Sequence, residues 1–247
     1  TNELKQKIVA TTNISILEDI YLPYKKKRKT KAETARKNGL GPLAKIIMSQ
    51  NATDIFSIAS KYVTNGVASE EKALEGARYI IAEWLNERSA IRNNLRYELT
   101  KHATLNTKVV KGKNTEEKAQ KFRDYFDFSE ALNRCPSHRL LAILRAEKEG
   151  FIRVKIEIDN QRALSKIEEK TIRSNNQCSD QIKLAIQDAY KRLLFPALSN
   201  EILNSAKEKA DATAIQVFAK NLKQLLLGAP LGEKNILAID PGYRTGC

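Results

Sequence analysis

The sequence is poor in cysteine, histidine, glycine and proline, and each shortage removes a class of protein. Three cysteines (Cys135, Cys178 and Cys247) are odd in number and widely spaced, which argues against a disulfide framework. The two histidines, His102 and His138, stand far from any Cys-x-x-Cys pair. No metal site is therefore expected, and no cofactor. Ten glycines and six prolines in 247 residues suit long helices better than a turn-rich sandwich or barrel. No stretch approaches the roughly 18 uninterrupted apolar residues that a membrane span needs, so no membrane association is expected. The opening residues Thr1-Asn2-Glu3-Leu4 lack an initiator Met, a basic region and an apolar region. They read as an internal boundary rather than a signal peptide. A reducing, cytoplasmic setting and a monomeric state are the expectations.

What the chain has in excess is positive charge. Lys and Arg number 43 against 29 Asp and Glu, for a net charge of +14 and a pI near 9.6. Such an excess favours polyanions through phosphate contacts and counterion release. It also fits a merely soluble basic protein, or one whose acidic counterpart lies in other domains. The charge is densest at Lys25, Lys26, Lys27, Arg28, Lys29 and Lys31, six cations in seven positions, and Arg36 and Lys37 extend it. Tyr21 and Tyr24 stand beside the run. Phosphate contact is the functional reading, a solvated helix entry is the plain one, and a localisation signal applies only to a eukaryotic source. A second candidate is Ser137-His138-Arg139, where a helix N-terminus could meet a phosphate. Its plain alternative is a capping Ser137 with His138 and Arg139 paired to carboxylates. Glu147 and Glu149, two residues apart, fall on different helix faces and make no catalytic pair.

The fold expected from the pattern is mainly all-α: an elongated multi-helix bundle with a minor β element near residues 151–158. Ser15-x-x-Glu18 has capping-box spacing, and Pro23 ends that helix early. Thr30 to Lys37 favours helix, Gly39 or Gly41 suits a C-cap, and Pro42 fits the first turn of the next helix. After Ser69, apolar residues from Ala73 through Ile80, Ile81, Trp84, Leu85, Ile91, Leu95 and Leu99 recur at spacings of three, four and seven. This predicts one long helix over about 69–102, or one softly broken near Ser89. Trp84 and Tyr97 lie on that stripe and are expected in the core rather than stacking on bases.

Past Gly112, Asn114 to Glu117 supplies a second capping pattern, and a helix is expected to carry Ala119, Phe122 and Phe126. Pro136-Ser137 opens another helix that Gly150 closes. Phe151 to Ile158 then alternates apolar and polar, the pattern of a half-buried strand, with no obvious partner nearby. The helical period returns from Ser179, Pro196 is expected to break it, and a last helix should run from about Ser199 to Leu227. Gly228, Pro230 and Gly232 read as a linker. Asn235 to Asp240 is a continuous apolar run ending in an acid and a turn, as in the first strand of a buried sheet. Three regions follow: 1–112, 113–234, and 235–247 as the truncated start of a further domain. Asp240 alone cannot form a two-metal centre, which needs several carboxylates.

Several segments resemble the bacterial Tex family of transcription accessory proteins. They are Leu17-Glu18-Asp19-Ile20-Tyr21-Leu22-Pro23-Tyr24-Lys25 with Arg28-Lys29-Thr30-Lys31-Ala32, and Pro136-Ser137-His138-Arg139 continuing to Gly150. Further matches are Asp188 to Leu194, Ala219 to Leu222 with Leu225 to Leu227, and Ile239 to Cys247. Ala146 stands where the second segment's pattern expects a glycine. The resemblance implies a helical region with a helix-turn-helix-like unit, and a start of a YqgF (RNase H-like) α/β domain at 235–247. It implies further helix-hairpin-helix and OB-fold RNA-binding domains in the full protein. The implied activity is nucleic-acid binding, chiefly of RNA, in transcription, without an enzymatic step.

Three functions are carried forward. The chain is a non-enzymatic nucleic-acid-binding scaffold that holds RNA or DNA without sequence specificity and with strong salt dependence. Alternatively it is a protein-interaction platform for transcription machinery, or part of a nuclease completed by the following domain.

Overall fold

A computed structural model describes residues 2–12, 14–25, 30–230 and 232–238. The chain begins with two short helices, α1 (Asn2–Val9) and α2 (Ile14–Tyr21), the second running into a 3₁₀ turn at Leu22–Tyr24 that contains Pro23. Next come α3 (Lys31–Lys37), α4 (Gly41–Ser49), α5 (Ile55–Ser60), α6 (Glu70–Glu87) and α7 (Ser89–His102). Thr30 caps α3, its hydroxyl accepting from the Glu33 amide at 3.1 Å, and Ser69 caps α6 by accepting from the Lys72 amide at 3.3 Å. Of the two readings of residues 69–102, the broken helix is the observed one. Arg88 is extended (φ −76°, ψ 109°), ends α6 and precedes α7.

Helix α6 is the spine of the N-terminal half. Leu74, Ala77, Ile80, Ile81 and Leu85 are fully buried against α3, α4, α5 and α10 (Gln177–Asp188). Gly76 lets α6 come close to its neighbours, since a Cβ there would collide with Leu40 Cδ1 and lie 3.3 Å from the Ala35 methyl.

A three-stranded antiparallel sheet follows, formed by β1 (Thr104–Val109), β2 (Asp127–Ala131) and β3 (Ile152–Glu157), in the order β2-β1-β3. The alternating segment 151–158 therefore is a strand, and its partner is β1, directly after α7. The pairs Leu105↔Ile156, Thr107↔Val154 and Val109↔Ile152 put the apolar residues of β1 and β3 on one face. The sheet joins residues on both sides of position 112. Helix α8 (Ser137–Lys148) packs on that inner face, burying Leu140, Ile143 and Ala146. Ala146 is fully buried in that packing. Between β1 and β2, residues Glu117–Tyr125 form 3₁₀ turns rather than the expected α-helix. They bury Ala119 and Phe122, and Phe126 falls just outside them.

The last part is helical almost throughout, with α9 (Asn160–Thr171), α10 and α11 (Phe195–Leu226). The break expected at Pro196 does not occur. A π-helical run, Ala189–Leu194, joins α10 to α11, and Leu194 and Phe195 keep helical dihedrals (φ −71°, ψ −55°; φ −64°, ψ −47°). Proline cannot donate to the carbonyl one turn back and its ring crowds that carbonyl. The wider π turn just ahead absorbs both faults without ending the helix. One apolar cluster runs from Ala32 to Ala210 through both halves and the sheet.

A polar hub fixes the junction of the halves. Gln50, in the left-handed region at φ 61°, ends α4 with its side chain buried. Its Nε2 donates to the Thr171 carbonyl at 2.9 Å, and its Oε1 accepts from the Arg173 amide at 2.8 Å. Its own carbonyl accepts from Asn176 Nδ2 at 2.8 Å. The strand expected from Asn235 is absent over residues 232–238, which have no regular structure. A single strand without neighbours in a sheet buries too little to persist. Ile239 to Cys247, with Asp240, lie outside the described residues.

Candidate nucleic-acid interface

The basic run is tied down on both flanks. Before it, Asp19 on α2 is nearly inaccessible, its side chain 5 % exposed. The carboxylate accepts from Arg92 Nε at 2.5 Å and from a terminal nitrogen of Arg96 at 3.0 Å. Arg92 and Arg96 stand one turn apart on α7, so both reach the same carboxylate. Arg96 is also bidentate to Glu201 of α11, at 2.7 and 3.0 Å. Burial opposes the charge on Arg96, but its hydrogen bonds to Glu201 and Asp19 outweigh it and hold the guanidinium above its ordinary range. Three helices thus meet on one ion-pair network, and Leu22–Tyr24 emerges from it.

After the run, Lys31 lies on Tyr79 of α6. Its ammonium is 4.6 Å from the ring centroid and donates to the phenol oxygen at 3.2 Å. The other cation at that ring is Arg192 of the π turn, 5.5 Å from the centroid. Asp188 fixes Arg192, accepting Nε at 2.9 Å and a terminal nitrogen at 2.5 Å. That pairing holds Arg192 above its ordinary pKa. Tyr79 in turn donates to Glu75 Oε1 at 2.6 Å.

Between the flanks lies a cleft of about 590 Å³, lined among others by Tyr21, Lys25, Arg92, Arg192 and Pro196. Tyr21 and Tyr24 are 56 % and 62 % exposed, so two rings stand free beside the run. Tyr21 ends α2, and Tyr24 ends the 3₁₀ turn that Pro23 imposes directly after it.

Of the residues singled out from sequence, Lys25 is exposed on this cleft, and Lys26, Lys27, Arg28 and Lys29 lie outside the described residues. Lys31 is exposed on Tyr79. Arg36 is ion-paired with Glu83 of α6. His138 is exposed in the first turn of α8. One terminal nitrogen of Arg139 donates to both carboxylate oxygens of Glu130 of β2, at 2.9 and 2.8 Å, with the guanidinium 5.7 Å over Phe128. The structure therefore gathers Lys25, Lys31 and Arg36 along the α2–α3 side, and places His138 and Arg139 in a separate group beside the sheet. Trp84 packs against the core as expected, but Tyr97 is exposed, with Lys101 Nζ 4.7 Å over its ring.

Sequence reading missed Tyr79 and Arg192. Both sit on helical stripes that look like ordinary packing positions, and only the fold brings them to Lys31. It also missed Lys108, Arg153 and Lys155 on the open face of the sheet. Their signal was present in the polar half of the 151–158 alternation. Among the described residues no group of three or more His, Cys, Asp and Glu could hold a metal, and no helix is long and apolar enough to cross a membrane.

The family described as Tex central region-like matches residues 50–218. The chain is 40 % identical over its whole length to the transcriptional accessory protein Tex of Neisseria gonorrhoeae, and covers 33 % of that protein. It is 36 % identical over its whole length to protein tex of Bordetella pertussis, again covering 33 % of it. Over 94 % of the chain it is 26 % identical to a human S1 RNA-binding domain-containing protein 1, of which it covers 24 %. The chain thus spans about a third of the length of the bacterial relatives it matches.

Proposed function

The chain belongs to the Tex family, and from that premise we propose that it is the helical, nucleic-acid-holding part of a transcription accessory scaffold. In this reading it acts without an enzymatic step, as a monomer in the cytoplasm, and contacts RNA phosphates through Lys25 to Lys31. The names of the Neisseria gonorrhoeae and human relatives support the transcription role and the RNA partner. The reading extends to a helix-turn-helix-like unit within 113–234 and an RNase H-like domain starting near 235.

The observation that carries the proposal is the double anchoring of the run. Asp19 is held by Arg92 and Arg96, and Lys31 by Tyr79. A charged tail with no function beyond solubility needs no such fixed ends, whereas a phosphate-contacting segment gains from losing less conformational freedom on binding.

Fluorescence anisotropy with a labelled single-stranded RNA, at low and at physiological salt, tests the reading. Binding should weaken with salt, log K falling by about 0.7 per phosphate neutralised for each decade of salt. Replacing Lys25–Lys29 and Lys31 by glutamine should lower affinity at least about tenfold at low salt. Absence of binding at low salt, or a flat salt dependence, would refute it.

One observation favours a second reading, the protein-interaction platform. The C-terminal half of α11 leaves the core and exposes Ile215 (66 %), Phe218 (67 %) and Leu225 (78 %). Large apolar side chains at helical spacing usually meet a partner. If the glutamine variant kept its full effect on transcription in an assay with the complete protein, this second reading would be preferred.

A further inference from the structure

The outward face of the three-stranded sheet is polar, solvent-exposed and positively charged. Because side chains alternate across a strand, Asn106 and Lys108 of β1, Arg153 and Lys155 of β3, and Asp127 and Ser129 of β2 share it. With Lys111 just past β1, they line an open cleft of about 830 Å³. The cations Lys108, Lys111, Arg153 and Lys155 face only two carboxylates, Asp127 and Glu157. Glu157 is occupied at one end, accepting from Asn106 Nδ2 at 2.8 Å. Among the described residues, none of these four cations takes part in an ion pair or side-chain hydrogen bond.

The register leaves that charge only partly balanced. Lys108 lies directly opposite Arg153 of β3, a like-charge pair of the kind that destabilises a sheet, and opposite Asp127 of β2, which answers one of the two cations. Lysine on an edge strand is commonly explained as protection against edge-to-edge aggregation. That explanation fails for Lys108, because β1 is the central strand. An anion bridging Lys108 and Arg153 would turn the repulsion into a shared contact.

We propose that this sheet face is a second polyanion site that seats the sugar-phosphate backbone of single-stranded RNA. Across three strands the face is about 10 Å wide, two interstrand spacings, which suits one strand better than a duplex. Arg153 and Lys155, two residues apart, project at about 6.8 Å intervals, comparable to successive phosphates along an extended strand. Among the described residues, Phe128 is the one aromatic that borders this cleft, and its register with Thr107 sets it in the inner-facing row of the sheet, away from Lys108, Arg153 and Lys155. Base stacking therefore has no platform here, and the contact is to the backbone, independent of sequence. The row Asn106, Ser129 and Lys155 between the charged positions offers hydrogen-bond partners to a 2′-hydroxyl, which DNA lacks. This site rests on the reading that the chain holds nucleic acid, but it is built from residues other than Lys25 to Lys31.

The test uses the 247-residue chain and a labelled 15-nucleotide single-stranded RNA, with single-stranded and duplex DNA of the same sequence as comparisons. A Lys108→Gln, Arg153→Gln, Lys155→Gln variant alters only exposed positions. It should keep wild-type circular dichroism and lose at least about tenfold in RNA affinity at low salt. Its salt slope should be shallower by about 2, for three phosphates released at about 0.7 each. Restoring charge with Lys108→Arg, Arg153→Lys, Lys155→Arg should restore binding. Acetylation footprinting of the wild type should show RNA protecting Lys108 and Lys155. If the Lys25–Lys31 variant loses RNA while the sheet variant binds like wild type, this inference is overturned and the reading above stands. If wild type binds no RNA at all, that reading fails first. Duplex DNA binding more tightly than RNA, or polyglutamate protecting the same lysines as well as RNA does, would also overturn the assignment.

Discussion

Lys31 closes the basic run by resting on Tyr79, with its ammonium 4.6 Å from the ring centroid and 3.2 Å from the phenol oxygen. The run is thereby joined to α6, and through Arg192 to the π turn that leads into α11. A single aromatic ring on the spine helix organises cations from two distant parts of the sequence.

Replacing Tyr79 by leucine should therefore act on both stability and binding. Loss of two cation–π contacts and of the hydrogen bonds to Glu75 and from Lys31 should cost about 1–3 kcal/mol in urea unfolding. Phenylalanine keeps the ring face and loses only the hydroxyl's two hydrogen bonds, of which the one from Lys31 is exposed, so its cost should be nearer about 1 kcal/mol. RNA affinity should follow the same order, with Tyr79→Phe close to wild type. Equal stability of the two variants would show that the ring carries no cation.

Asp19 is the stronger anchor. Among the described residues, its removal leaves Arg92, 8 % exposed, without a carboxylate partner, and leaves Arg96 with Glu201 alone. Asp19→Asn should cost about 3–5 kcal/mol in chemical denaturation, a large share of the stability of a domain. Glu201→Gln should cost less, because Glu201 is more exposed and Arg96 retains Asp19. The reverse order would place the centre of the network on α11 instead of α2.

The helices that could be read from sequence are those whose signals are local. Ser69 begins α6, Pro136-Ser137 opens α8, and the spacing from Leu74 to Leu85 marks a buried stripe. Strand β1 was not legible. Thr104–Val109 follows α7 with no glycine or proline between them, and pairs with β3 some fifty residues later in the chain. Strand character here comes from the partner, not from the segment. The continuous helix across Pro196 failed for the same kind of reason, since a π turn is a tertiary accommodation with no residue signature of its own. At the candidate site the cations were legible one by one. What the sequence did not reveal was which of them are already paired, as Arg36 is with Glu83 and Arg139 with Glu130. Nothing in the residues around Asp19 signals a buried carboxylate. Its burial depends on Arg92 and Arg96, more than seventy residues later.

Cys135 gives a pH-dependent readout of the junction between β2 and α8. Burial, with the negative charge of Glu130 close by, pushes its thiol up from 9.0 to about 11. The folded state therefore favours the neutral thiol. Its contribution to stability is complete below pH 9, where the unfolded chain also keeps the proton, and is lost as pH rises from 9 through 11. At neutral pH a pKa of about 11 leaves about a hundredfold less thiolate than an ordinary cysteine holds. In a Cys247→Ser background, iodoacetamide should label folded Cys135 slowly at pH 8 and progressively faster toward pH 11. Glu130→Gln should speed the labelling at pH 8, because the charge opposing thiolate formation is gone while Arg139 remains alongside. Rapid labelling of folded wild type at pH 8 would mean that the thiol is not held in its neutral form by burial and by Glu130.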